Sequence, residues 1–92
     1  MINGNINEFM DKLWDGEELI YVYNGKKYFS QGYSTDKNIY VFELQMWEPK
    51  EVLLWRICGK DNQESFEEFL KTPLFDGKTF WEIESNVEWV DF

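Results

Sequence analysis

The side chains numerous enough to suggest chemistry in this sequence are carboxylates. Its 92 residues carry 18 Asp and Glu against nine Lys and Arg, with no histidine. Two acid pairs, Glu67 with Glu68 and Glu82 with Glu84, are candidates for glycoside hydrolysis, which needs two carboxylates held across a sugar-sized cleft. Residues one or two apart on a helix point in different directions. A chain this short also has little material for both a core and a cleft. These pairs therefore read as solvated helix faces. Asp61-Asn62-Gln63-Glu64 resembles a fragment of a calcium loop, but it lacks the alternating ligands and central glycine of a twelve-residue site. It reads as a helix cap instead.

Without histidine, the Ser-His-Asp and Cys-His arrangements, the commonest general base and the commonest metal ligand are all missing. Cys58 is the single cysteine. It cannot complete a zinc set, and it allows no intramolecular disulfide, which suits a reducing cytoplasm. Arg56, Lys60 and the start of a following helix lie near it in sequence, as a reactive thiolate would need. A strand-end thiol packed as a small hydrophobe is the simpler reading. The glycines are scattered as turn residues and form no phosphate-cradling loop. The expectation is a protein with no catalytic residues, no cofactor and no metal.

Charge placement is more informative. Residues 1–60 hold nine acids and seven bases, net −2, whereas residues 61–92 hold nine acids against Lys71 and Lys78 alone, net −7. Such a field repels nucleic-acid phosphates and anionic lipid and attracts basic protein surfaces. The residues expected to form an acidic partner-binding face are Glu64, Glu67, Glu68, Glu84, Glu88 and Asp91. The expected partner is a protein with a basic surface, possible examples being nucleic-acid-binding enzymes. Direct nucleic-acid binding and membrane binding are not expected.

The elements that position these groups follow from periodicity. Residues 1–13 lack a basic start and a continuous apolar run, so they do not read as a signal peptide. Ile6, Phe9, Met10 and Leu13 make one helical stripe, capped by Asn5 and ended at Gly16. Residues 18–23 and 26–33 form a hairpin about Asn24-Gly25, with Tyr21 opposite Tyr28 and Ile20 opposite Phe29. A third strand runs over 38–47, with Tyr40, Phe42, Leu44 and Met46 facing the core. A fourth covers 52–58, with Leu53, Trp55 and Ile57 inward. A second helix spans about 62–71, capped by Asp61 and stopped by Pro73. Thr79-Phe80-Trp81-Glu82 is a further capping box opening a short third helix, and residues 89–92 form either a short strand or a packed end.

The predicted fold is therefore one α+β domain. It has a single four-stranded antiparallel meander sheet, an N-terminal helix, and one or two C-terminal helices packed on one face. If Ile20, Val22 and Phe29 face the helices, then Leu19, Tyr21, Tyr23 and Tyr28 occupy the opposite face with Ile39, Val41, Trp47 and Leu54. Tyr21, Tyr23, Tyr28 and Trp47 then form an alternative, aromatic contact surface for an accessory subunit or a homodimer.

Gly25-Lys26-Lys27-Tyr28-Phe29, Trp47-Glu48-Pro49, Phe75-Asp76-Gly77-Lys78-Thr79-Phe80-Trp81-Glu82 and Val87-Glu88-Trp89-Val90-Asp91 resemble a group of small acidic proteins of low-GC Gram-positive bacteria and their mobile elements. In size and charge the chain is also similar to anti-CRISPR proteins and other phage-encoded inhibitors. That likeness implies a cytoplasmic inhibitor whose acidic face occupies a basic groove on a nucleic-acid enzyme. The resemblance carries no site residues.

Overall fold

Local chemistry sets the start of both long helices. A computed structural model describes residues 1–59 and 61–91; of Asp91 only the backbone is described. Helix α1 (Ile6–Trp14) begins at Asn5, whose Oδ1 accepts from Asn7 N at 2.8 Å and Glu8 N at 3.2 Å. Helix α2 (Asn62–Lys71) begins at Asp61, whose Oδ1 accepts from Glu64 N at 3.0 Å. Each cap satisfies amides that the first turn leaves without partners. Helix α3 (Phe80–Ile83) is one turn, with Glu82 Oε1 accepting from Thr79 N at 2.9 Å, and a 3₁₀ turn over Glu84–Asn86 extends it.

Five strands form one antiparallel sheet: β1 (Leu19–Tyr23), β2 (Lys26–Ser34), β3 (Tyr40–Glu48), β4 (Val52–Gly59) and β5 (Glu88–Asp91), in the order β4-β3-β2-β1-β5. The predicted meander accounts for the first four. The chain adds a fifth, because its tail returns to pair with β1, with Tyr21 opposite Trp89. Phe92, part of the expected tail, and Lys60 lie outside the described residues. The β1–β2 turn has φ of 53° at Asn24 and 76° at Gly25, as a type I′ hairpin requires.

All the helices lie on one face of the sheet. Phe9, Leu13, Phe69, Phe75, Phe80 and Ile83 meet Leu19, Tyr21, Tyr28, Phe42 and Leu44 there in one buried cluster. Phe9 stacks on Phe80 at 5.5 Å and meets Tyr21 and Trp89 edge-on, each at 5.3 Å. Such ring pairs contribute about 0.5–1.5 kcal/mol each beyond the area they bury.

This packing reverses the expected sides of the first hairpin. Leu19 and Tyr21 are fully buried and Tyr28 nearly so, all facing the helices. Ile20, Val22 and Phe29 take the other face. The reason is register: Tyr28 pairs with Met46, on the core side of β3, and directly opposed residues share a face. Leu53 also departs from expectation. Leu44 opposes Trp55 while Gln45 opposes Leu53, so Leu54 is an extra bulged residue that sends Leu53 outward.

Candidate functional site

The strongest acidic surface is built on α2. Ser65 and Phe69 anchor that helix in the core, and Phe66 meets Trp14 of α1 edge-on at 5.2 Å. Helical spacing puts Glu64 and Glu68 on the opposite flank, one turn apart. That flank overhangs β4: Glu64 Oε1 lies 3.2 Å from where a Cβ on Gly59 would sit, and Trp55 of β4 contacts Phe69 at 6.0 Å. Glu67 is exposed and accepts from Gln63 Nε2 at 3.2 Å. Glu68 pairs with Lys71 at 2.9 Å, an exposed contact on the same helix.

The other three expected acids are elsewhere. Glu84 forms an ion pair with the N-terminal amine of Met1, which neutralises it locally. Glu88 and Asp91 belong to β5, at the opposite edge of the sheet from β4. Four interstrand spacings separate those edges, about 19 Å. The six carboxylates therefore do not make one continuous face; only Glu64, Glu67 and Glu68 stay together. Glu82, the other acid of the Glu82/Glu84 pair, is used as a cap. The Thr79 amide and hydroxyl hold its carboxyl below the usual range.

One acid missing from the expected set joins α2. Asp15, the residue after α1, lines an open cleft of about 410 Å³ with Ser34, Tyr40, Asp61 and Asn62. Asn62 Nδ2 donates to Trp14 O at 3.0 Å and ties the start of α2 to the end of α1. The Tyr40 side chain crosses two glycines: a Cβ on Gly32 would fall 1.9 Å from its Oη, and one on Gly16 2.4 Å. Burial, and then the charge of Asp15, push the Tyr40 phenol up, so it stays neutral. Two carboxylates beside a neutral phenol suit a cationic side chain and oppose an anion.

The face of the sheet away from the helices carries a different arrangement. Phe29 and Trp47 stack at 4.7 Å, bordered by Ile20, Val22 and Leu53. Beside them Glu43 is 4% exposed and holds four hydrogen bonds. Oε1 accepts from Gln31 at 2.7 Å and Gln45 at 3.3 Å; Oε2 accepts from Arg56 Nε at 3.2 Å and Nη2 at 2.8 Å. Trp47 Nε1 donates to Gln45 Oε1 at 3.0 Å and joins this network. Of the four residues expected to form an aromatic contact surface, only Trp47 lies here. Tyr21 and Tyr28 are in the core, and Tyr23 packs against it.

Cys58 is exposed on this same outer face, opposite Val41, and so lies across the sheet from the start of α2. It is not packed as the sequence suggested. Among the described residues no three Cys, Asp or Glu gather as a metal site, and no helix is long and apolar enough to cross a membrane. Comparison of the chain with known protein families, with curated proteins and with solved structures finds no match.

Proposed function

We propose that this chain is a non-catalytic, cytoplasmic binding protein, an inhibitor of the mobile-element type, whose acidic surface occupies a basic groove on a nucleic-acid enzyme. The observation that carries this reading is the acidic outer surface of α2, with Glu64 and Glu67 exposed and Glu68 half-buried, on the helix whose cap, Asp61, lines the cleft with Asp15. The net charge of −9 adds long-range attraction toward a basic surface. The working surface in this reading is narrower than residues 61–92 as a whole, since Glu84 is paired, Glu68 shares its charge with Lys71 and Glu88 is remote.

The test is affinity capture from host cells, followed by titration of the captured protein against salt and against duplex DNA as competitor. The reading expects a nucleic-acid-binding protein, competition by DNA, and at least tenfold weaker binding to a Glu64→Gln/Glu67→Gln/Glu68→Gln variant, with a flatter salt dependence. Unchanged affinity in that variant, with no salt dependence in the parent, rejects it.

A second reading, an accessory subunit or homodimer, is favoured by the helix-free sheet face around Phe29, Trp47 and Leu53. Light scattering at high concentration addresses it, with Trp47→Ser and Leu53→Ser as variants. A monomer whose partner binding both substitutions leave intact removes that reading.

A further inference from the structure

Strand β4 is an outer strand of the sheet and carries three consecutive exposed aliphatic residues: Val52 (38%), Leu53 (47%) and Leu54 (39%). An outer strand presents a row of unpaired backbone N–H and C=O groups, and native sheets usually blunt such an edge with charge, proline or brevity. Here β4 is eight residues long, with Arg56 as its single charge, and its one bulge, at Leu54, is itself apolar. The opposite edge, β5, is four residues long and carries Glu88 and Asp91. Only one edge of the sheet is apolar and extended.

What lies over that edge selects its occupant. The flank of α2 bearing Glu64 and Glu68 overhangs β4, and the Glu64 carboxylate reaches its last residue, Gly59. Two copies of this chain meeting edge to edge about a twofold axis would set one α2 flank against the other. The Glu64/Glu68 flank of one copy would then lie beside that of the other, each on a body of net charge −9. Like charges so placed repel. A strand carrying Lys or Arg on the helix-facing side meets the same carboxylates with attraction.

The geometry points to β4 as the docking site for an extended basic segment of a partner protein, added to the sheet as a sixth strand. This rests on the proposed binding of a basic partner and specifies how that partner is held. Main-chain hydrogen bonds to the free edge supply affinity, and alternate side chains supply specificity. Apolar residues of the segment meet Leu53 on the outer face, while its cations, on the helix-facing side, meet Glu64 and Glu68.

The experiment uses the full chain, labelled for amide NMR, and three synthetic peptides of alternating valine and a charged residue. One carries Lys, one carries Glu, and one is the Lys peptide N-methylated at alternate amides. The proposal expects the Lys peptide to shift the amides of residues 52–59 and slow their hydrogen exchange. It expects at least tenfold weaker binding of the Glu and N-methylated peptides. Lys-peptide binding that N-methylation leaves unchanged, with shifts confined to α2, overturns the strand addition but leaves the acidic-surface reading standing. Equal binding of the Lys and Glu peptides overturns both. A dimer of the free chain with β4 amides protected overturns the proposal in favour of a second copy.

Discussion

Replacing Glu43 by Gln tests whether the network on the outer sheet face stabilises the fold. Burial alone would push the Glu43 carboxyl up. Hydrogen bonds from Arg56, Gln31 and Gln45, with the charge of Arg56, more than offset this and hold it below the usual range. In Glu43→Gln one acceptor oxygen becomes an NH₂ group, so Arg56 or the pair of glutamines faces a donor in place of an acceptor. A hydrogen bond to a charged group contributes about 1.5–3 kcal/mol net, and an unpaired buried donor has a comparable cost. Gln retains one acceptor, so the expected loss is about 2–3 kcal/mol near neutral pH. For a domain of this size that lowers Tm by roughly 8–24 °C.

The pH dependence gives an independent check. A folded-state pKa below the unfolded value means that the stabilisation is complete above the unfolded carboxyl pKa, about 4.3, and is lost as pH falls through the lower folded value. Thermal unfolding followed by circular dichroism should therefore show the widest gap between parent and variant near neutrality, closing in acid below about pH 4. A Tm within about 2 °C of the parent at neutral pH, or a gap unchanged in acid, would refute the reasoning.

Phe80→Ala should cost about 3–5 kcal/mol, because the ring is fully buried and contacts Phe9, Tyr21, Phe69 and Phe75. A urea midpoint equal to that of the parent would contradict this. Gly32→Ala should destabilise by at least about 1 kcal/mol through the clash with Tyr40. The penalty should shrink in a Tyr40→Ala background, as a double-mutant cycle by chemical denaturation would report. Burial, then the charge of Asp76, push the Tyr28 phenol up to about 12. Burial pushes that of Tyr21 higher still. A raised folded value means that stability is whole below about pH 10 and lost as pH rises through the folded values. Tyrosinate absorbance should show both phenols still protonated at about pH 11 while the fold persists. Ionisation of both near pH 10 in a chain with native circular dichroism would contradict this.

The elements that depend on near neighbours along the chain were legible in the sequence. Asn5 and Asp61 cap their helices, Asn24-Gly25 makes its hairpin, and Tyr21 opposes Tyr28. The face of that hairpin was not legible. Leu19 to Tyr23 is apolar at every position, so no two-residue period marks the buried side. The deciding fact is the pairing of Tyr28 with Met46, which the bulge at Trp47 conceals from any count along the chain. The acidic site was legible as a helix but not as a surface. Charge summed over residues 61–92 joins groups that the fold separates, because β5 crosses to the far edge while α2 stays over β4. Asp15 was missed because its proximity to Asp61 depends on the contact between the end of α1 and the start of α2.

Specificity by repulsion has a consequence that neither the apolar edge nor the acidic helix has alone. If the carboxylates over β4 both repel a second copy and attract a basic strand, removing their charge acts in opposite directions on the two events. Glu64→Gln/Glu68→Gln should weaken binding of a lysine-bearing strand and, in the same protein, raise self-association by sedimentation at high concentration. Both changes should be largest at low ionic strength and fade as salt screens the exposed acids. An apolar edge indifferent to these residues would leave both measurements unmoved. A helix that merely keeps the chain soluble would raise self-association and leave strand binding unchanged. Only carboxylates that face the incoming strand couple the loss of one to the gain of the other.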